Sequence, residues 1–377
     1  MLNPGLRLRR RLVAIGAGAV VFGIFVLLSW FPAVAERVYG DGIGPVIASL
    51  LSRLSGVIPL SIAELLIVAF LIRQLAGAAR SIAGMVRRDR GIGNAVAAAL
   101  LRMGSDVGIA VALFYLLWGF HYARLPMDQR YGWDASGATP EEVAALAQEM
   151  VEAGNFAYVT LHGSEDLGEV TGPVLDDPAL QETLLQGWKA SEKVVGRSSF
   201  SGFSFGRPKP LLASRLLDYL GISGFYFPWT GEANFNRDIP PLTLPQAVAH
   251  EMAHQRGFAR EDEANFMGYL VAAAAPHTWA QYSADVFAQR QLLAAVARYD
   301  RPRAVDLVKE RLPGVQRDID AANAHWRRFL GPASDAARAV NDAYLRSNRV
   351  PGGVASYGRS VEHLIAYARS RGGWLLR

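Results

Sequence analysis

The residues best suited to chemistry are His250, Glu251 and His254, spaced as HExxH. On a helix, positions four apart share a face, so both imidazoles can address one metal ion. Glu251 then stands beside the open coordination position, where it can take a proton from water at the metal. Two imidazoles leave a zinc site one ligand short. Gly257 can adopt the left-handed conformation that ends a helix, and a second helical run from about Arg260 carries Glu261, Glu263 and Asn265. Glu261 and Asn265 are four apart, a ligand and a supporting partner on one face; Glu263 is the other candidate ligand. The competing reading is a salt-bridged helix pair in which both histidines are ordinary polar residues.

The ExxxN spacing resembles the second zinc motif of gluzincin-type metallopeptidases, in which the leading Glu binds the metal. Gly257 stands where the metzincin pattern has its glycine, but Arg260 occupies the place of that pattern's third His. The resemblance favours Glu261 as third ligand with Glu263 as runner-up, Asn265 behind it, and one Zn2+ per chain.

These residues need a helix, a turn and a second helix. Pro245 suits the first turn of a helix through His254, and Ala247, Val248, Ala249, Met252 and Ala253 propagate it. Upstream, GFYFPWTGEANFN (Gly224 to Asn236) reads as an edge strand interrupted by Pro228. Such a strand beside the motif helix could pair with extended peptide through Phe225, Tyr226, Phe227, Gly231, Glu232 and Asn234, or be a buried aromatic support. Tyr282, Tyr344 and Tyr357 are candidate oxyanion donors against a packing role. His121, His162, His277, His325 and His363 lack ligand spacing.

The chain of 377 residues is long enough for more than one domain and is 51% hydrophobic, with a positive mean hydropathy. Apolar residues crowd into its first third. The absence of cysteine excludes disulfides and thiolate metal sites. A net charge of +5 without a basic stripe interleaved with aromatics gives no case for nucleic acid.

LRLRRR (Leu6 to Arg11) precedes an apolar run to Phe31. Spans are expected at about 12–33, 57–78 and 94–120, with an amphipathic interfacial segment over 43–55. A cleaved signal peptide ending near Ala33-Val34-Ala35 is the rival reading of the first span. Glu64 near the end of the second span suggests a structural hydrogen bond ahead of proton transfer. Arg102 and Asp106, four apart, are expected to pair. Arginine enrichment at the N-terminus and over Arg73 to Arg90 places both in the cytoplasm and 125–377 outside it.

In that second part, Thr139-Pro140-Glu141-Glu142 opens a helix to about Ala153. Loop and short strands follow over 154–178, then a helix to Val194, the RSSFSGFSFGRPKP connector and a short helix from Leu211 to Leu220 ended by Gly221. Further helices are expected at Thr278 to Tyr299, Arg303 to Arg311, Val315 to Phe329, Pro332 to Ser347 and Val361 to Arg369.

RLSGVIPLSIAELL (Arg53 to Leu66), LLWGFHYARLP (Leu116 to Pro126), SGFYFPWTGEANFN (Ser223 to Asn236), HEMAHQRGFAREDEANF (His250 to Phe266) and NDAYLRSNRVPGGVASYG (Asn341 to Gly358) together resemble a zincin-like bacterial membrane-protein family named domain of unknown function 3810. The resemblance implies a membrane-anchored, mainly α chain in the bacterial cytoplasmic membrane. Three N-terminal spans would precede a zincin-like α+β domain with a small sheet and a helical C-terminal part. The expected function is a zinc metallopeptidase with the bilayer and a peptide or protein substrate as partners. The alternative is a non-catalytic zinc-binding envelope receptor or assembly scaffold.

Overall fold

Residues 4–87, 91–195 and 200–375 are described by the structure, a computed structural model. Arg88, Asp89 and Arg90 of the basic loop, and Arg197, Ser198 and Ser199 of the connector, lie outside the described residues. The first part of the chain runs α1 (Pro4–Leu28), α2 (Pro32–Ala35), a π-helix (Glu36–Ile43), α3 (Gly44–Gly56), α4 (Ile62–Val86) and α5 (Ile92–Leu117). Three of these, α1, α4 and α5, are long and apolar enough to cross a membrane. Their bounds differ from expectation at the ends: α1 stops at Leu28, and α4 continues eight residues past 78, to Val86.

Helices α1 and α5 cross where glycine faces glycine. A Cβ on Gly18 would lie 2.7 Å from the Cα of Gly108, and one on Gly108 would lie 2.8 Å from the Cα of Ile15. In an apolar solvent, close backbone approach supplies the packing that the hydrophobic effect cannot. Above that crossing, Phe25 stacks on Tyr115 with ring centroids 4.5 Å apart. The expected Arg102–Asp106 pair does not form. Asp106 instead bonds across helices to Arg73 at 2.6 Å and to Gln74 at 2.8 Å, while the Arg102 guanidinium lies over Gly77. A basic residue placed before its acid is the weaker order on a helix, and the partners on α4 win.

α3 is amphipathic with its polar side inward. Ser49, Ser52 and Ser55 are buried, whereas Val46, Leu50 and Leu54 are exposed. Ser49 Oγ donates to the Ser204 carbonyl at 2.7 Å and Ser52 Oγ accepts from Gly206 N at 3.2 Å.

The second part contains a 3-10 turn (Gly119–Ala123), α6 (Met127–Tyr131), α7 (Pro140–His162), α8 (Asp177–Val195), β1 (Lys209–Pro210), α9 (Ser214–Leu220), β2 (Gly224–Phe227) and β3 (Glu232–Phe235). Then come α10 (Leu244–Gln255), α11 (Glu261–Ala273), α12 (Thr278–Val296), α13 (Arg301–Lys309), α14 (Pro313–Arg327), α15 (Pro332–Ser347), a second 3-10 turn (Gly353–Arg359) and α16 (Ser360–Ser370). The capping box at Thr139 and Glu142 opens α7 as read. However, α7 runs to His162, and no strand occurs among residues 154–178. Gly154 is not a stop, because it packs against Gln289 and Val286 of α12; the stop is Gly163, at φ 67°. The core lies between α10, α11 and α12, where Val248, Phe266, Tyr269 and Trp279 are buried.

The sheet has the order β1-β3-β2, with β3 parallel to β1 and antiparallel to β2. This divides the expected edge strand. Phe225, Tyr226 and Phe227 lie on the edge strand β2, but Glu232 and Asn234 belong to the central, wholly buried β3, and Gly231 is in the turn at φ 68°. Asn234 cannot pair with an added strand, since β1 and β2 already take both sides of β3 there, and Glu232, opposite Phe227, is buried. Glu232 forms a buried ion pair with Lys209 and accepts from the backbone N–H of Ile62 and Ala63. Glu64 also holds structure: it accepts from the N–H groups of Leu212 and Ala213, at 3.0 and 2.8 Å.

The glycine crossing yields a direct expectation. Gly108→Leu should destabilise the detergent-solubilised chain by about 1–3 kcal/mol or more through overpacking. Gly16→Leu, where a Cβ meets nothing within 4 Å, should leave the thermal midpoint unchanged.

Candidate metal centre

Nearly every residue of α10 and α11 is buried, so their polar side chains must be satisfied by one another or by a ligand. The two helices approach closely because α11 presents Gly268, where a Cβ would lie 3.1 Å from the backbone N of His250. Gly257, at φ 76°, makes the turn between them, and Glu261 is the first residue of α11.

The imidazoles of His250 and His254 stand perpendicular, with centroids 4.6 Å apart. Their Nε2 atoms lie 3.3 and 3.4 Å from the same Glu261 oxygen, Oε2. That oxygen is buried without an aligned hydrogen bond among the described residues, as is His250 Nδ1. His254 Nδ1 lies 2.7 Å from the Phe258 carbonyl. A carbonyl only accepts, so Nδ1 carries a proton and Nε2 is the nitrogen that a metal could take in the neutral ring. The ligand atoms of these three residues all lie within 4.8 Å of one another. Zinc bonds of about 2.0–2.1 Å at tetrahedral angles would set neighbouring ligand atoms roughly 3.3–3.4 Å apart. The donor set and spacing therefore fit zinc.

Electrostatics point the same way. Burial alone would raise the Glu261 carboxyl, but the His254 and His250 rings hold it far below the usual range. Burial opposes charge on His254, yet Glu261 lifts that ring to about 9. Without an ion, positive charge is drawn to the place a cation would take.

Glu263 is turned elsewhere. It accepts from Met127 N at 3.0 Å and forms a buried ion pair with Arg130 of α6. Glu261, then, joins the histidines and Glu263 does not. Asn265 supports a neighbour of the site: its Nδ2 donates to the Tyr357 carbonyl at 3.2 Å.

Glu251 is buried beside the cluster, with Oε2 unpartnered among the described residues. Burial raises its carboxyl to about 7, with His250 and His254 pulling down and Glu261 pushing up. Strand β2 runs directly over it, and a Cβ on Gly224 would lie 2.7 Å from Glu251 Cγ.

Of the three tyrosines singled out, two reach this place. The Tyr357 hydroxyl lies near Glu261 and accepts from Asn341 Nδ2 at 3.2 Å; burial first, then Glu261, raises it above its ordinary value. Tyr344 accepts from the Tyr122 hydroxyl at 3.1 Å, and both are raised by burial and by Glu261. Tyr282 instead donates to Asp318 at 2.9 Å in a separate buried network. Sequence reasoning missed Tyr122 and Trp118, whose indole N–H donates to the His254 carbonyl at 3.0 Å. Their four-residue spacing just past the third apolar helix was the available signal. The remaining histidines bond elsewhere: His162 to Thr171, His277 to the N–H of Trp279. His325 and His363 face Asp218 and Asp262, and His121 lies beside Arg124.

Compared with known proteins, the family described as "Protein of unknown function (DUF3810)" matches residues 39–365 of the chain. No curated protein and no solved structure matches it.

Metal analysis should separate the two glutamates. Glu261→Ala, His250→Ala and His254→Ala should each lose bound zinc, while Glu263→Ala keeps about one zinc per chain. Glu263→Ala should nevertheless melt lower, since stranding the buried Arg130 charge costs about 3–5 kcal/mol. Zinc loss in Glu263→Ala together with retention in Glu261→Ala would reverse the assignment.

Proposed function

Since the chain belongs to the family described as protein of unknown function DUF3810, with three helices fit to cross a membrane, we propose that it is a membrane-bound zinc-dependent metallopeptidase. One observation carries the proposal: three ligand atoms converge on one point, and a fourth buried group, Glu251, stands beside them with its Oε2 unpartnered among the described residues. A purely structural pair of helices has no use for an unpartnered carboxyl there.

When bound, zinc supplies a Lewis acid for the scissile carbonyl and lowers the pKa of a water to about 7. His250, His254 and Glu261 hold the ion. Glu251 takes the water's proton at Oε2 and delivers it to the leaving amine, the two transfers a general base beside the ion supplies. Tyr357, close to Glu261, has its hydroxyl at hand for a developing oxyanion, with Asn341 and Asn265 fixing its position. Polar neighbours such as Gln255 and Arg256 argue against an intramembrane site.

The second reading is a receptor or assembly scaffold that keeps zinc for structure, and the tight cover of Gly224 over Glu251 is the observation in its favour. Glu251→Gln decides between them. Metal content and folding should stay near wild type, while peptide hydrolysis should fall by about 10²–10⁴-fold. Unchanged function at equal abundance and equal zinc would retire the peptidase.

The proposed orientation is cytoplasmic for the N-terminus and extracytoplasmic for the metal centre. It rests on Arg7, Arg9, Arg10 and Arg11 in the first turns of α1 and Arg80 and Arg87 toward the far end of α4. A periplasm-dependent reporter should be active when fused after Arg124 and silent near Met85. The reverse pattern would put the site in the cytoplasm.

A further inference from the structure

A cavity of about 480 Å³ lies beside the turn that joins α10 to α11, walled by the guanidinium groups of Arg124, Arg130 and Arg256. All three arginines are buried. Arg124 is matched by Glu36, with bonds of 3.0 and 2.5 Å, and Arg130 by Glu263. Asp41, the other acid in the wall, has contacts of its own.

Arg256 differs from its two neighbours. It is 3% exposed and has no ion pair among the described residues. Its Nη1 donates to the Met252 carbonyl and to Gln255 Oε1, at 3.1 and 3.2 Å, and its Nε has no partner. The guanidinium is held between the rings of Trp188 and Phe205, at 4.5 and 4.6 Å. Stacking fixes a charged group without neutralising it. Glu192 is the acid that acts on Arg256, from beyond ion-pair distance, so the wall of this cavity carries a fixed cation with no carboxylate in direct contact among the described residues.

The opposite wall indicates which anion. Glu36 and Asp41 sit on the π-helix that follows α1, a helix fit to cross a membrane. Across α2 and the start of that π-helix, Phe31, Val34 and Val38 are about half exposed. A buried cation and an outward apolar stripe thus lie at the level where a first span leaves the hydrocarbon, the depth of lipid phosphates. We infer that the cavity is a headgroup site for an anionic phospholipid, its phosphate paired with Arg256 and its acyl chains lying along Phe31, Val34 and Val38.

The test uses the full chain, stripped of lipid in detergent, with phosphatidylglycerol, phosphatidylcholine and inorganic phosphate as probes, read by native mass spectrometry. One phosphatidylglycerol per chain should bind about ten-fold or more tighter than phosphatidylcholine, and inorganic phosphate should not displace it. Arg256→Gln should abolish that preference, Arg256→Lys should restore part of it, and the exposed Arg301→Gln should leave it intact. Equal affinity in wild type and Arg256→Gln, or equal affinity for both lipids, overturns the site. Displacement by inorganic phosphate would make it a free-anion pocket instead. A photoreactive phosphatidylglycerol on the wild-type chain needs no substitution: labelling within residues 124–131 or 200–205 supports the site, and labelling only elsewhere overturns it.

Discussion

A carboxylate buried against two imidazoles must be neutralised, and the first turn of α11 shows how far the fold is arranged around that requirement. Three consecutive acids, Glu261, Asp262 and Glu263, leave this turn in three directions. Glu261 meets the histidines of α10, Asp262 faces Arg359 and His363 at 3.5 and 3.8 Å, and Glu263 takes Arg130 of α6. Each buried charge has a separate answer on a separate element, so the turn is a junction. Removing any one partner would strand a charge where water cannot reach it. The Asp262 contacts also hold the Tyr357-bearing turn against the site, so the candidate ligands and the tyrosine are placed by neighbouring residues of one helix.

A second set of buried polar contacts ties this junction to the membrane-length helices. The first turn of α4 gives its free N–H groups to Glu232, which Lys209 balances, while Lys209 in turn reaches the Ser55 and Leu60 carbonyls at 2.8 and 3.0 Å. Ser61 donates to Asn234 at 2.8 Å. At the end of α5, Trp118 bonds to the backbone of His254 itself. The sheet that covers Glu251 and the helix that carries the imidazoles are thus each fastened to the end of an apolar helix. On the peptidase reading, this fixes the height of the centre above the bilayer.

What the sequence made legible was local: the HExxH face, the Gly257 turn, the capping box at Thr139 and the three apolar runs all follow from spacing within one element. What it hid depended on partners far away in the chain. Glu261 and Glu263 are indistinguishable by helical position until Met127 and Arg130 claim one of them. Glu232 and Asn234 read as edge residues because alternation shows that a strand exists, not how many neighbours it has; β1, only two residues long, made β3 central. Gly154 looked like a helix end and proved to be a packing site against α12. The π-helix at Glu36 turns Glu36 toward Arg124, and no short-range pattern announces it.

The placement of β2 bears on how a substrate would enter. Among the described residues one side of β2 is taken, by β3, and Gly224 at its start lies against Glu251. A peptide adding to the open side would extend the sheet antiparallel or parallel to β2 and pass next to the carboxyl, with Phe225, Tyr226 and Phe227 as its neighbours. Any larger residue at 224 would push the strand away from Glu251, because the space a Cβ needs is already filled by that side chain and by the Asn234 carbonyl. Glycine here sets the separation between the strand that would hold a substrate and the group that would act on it.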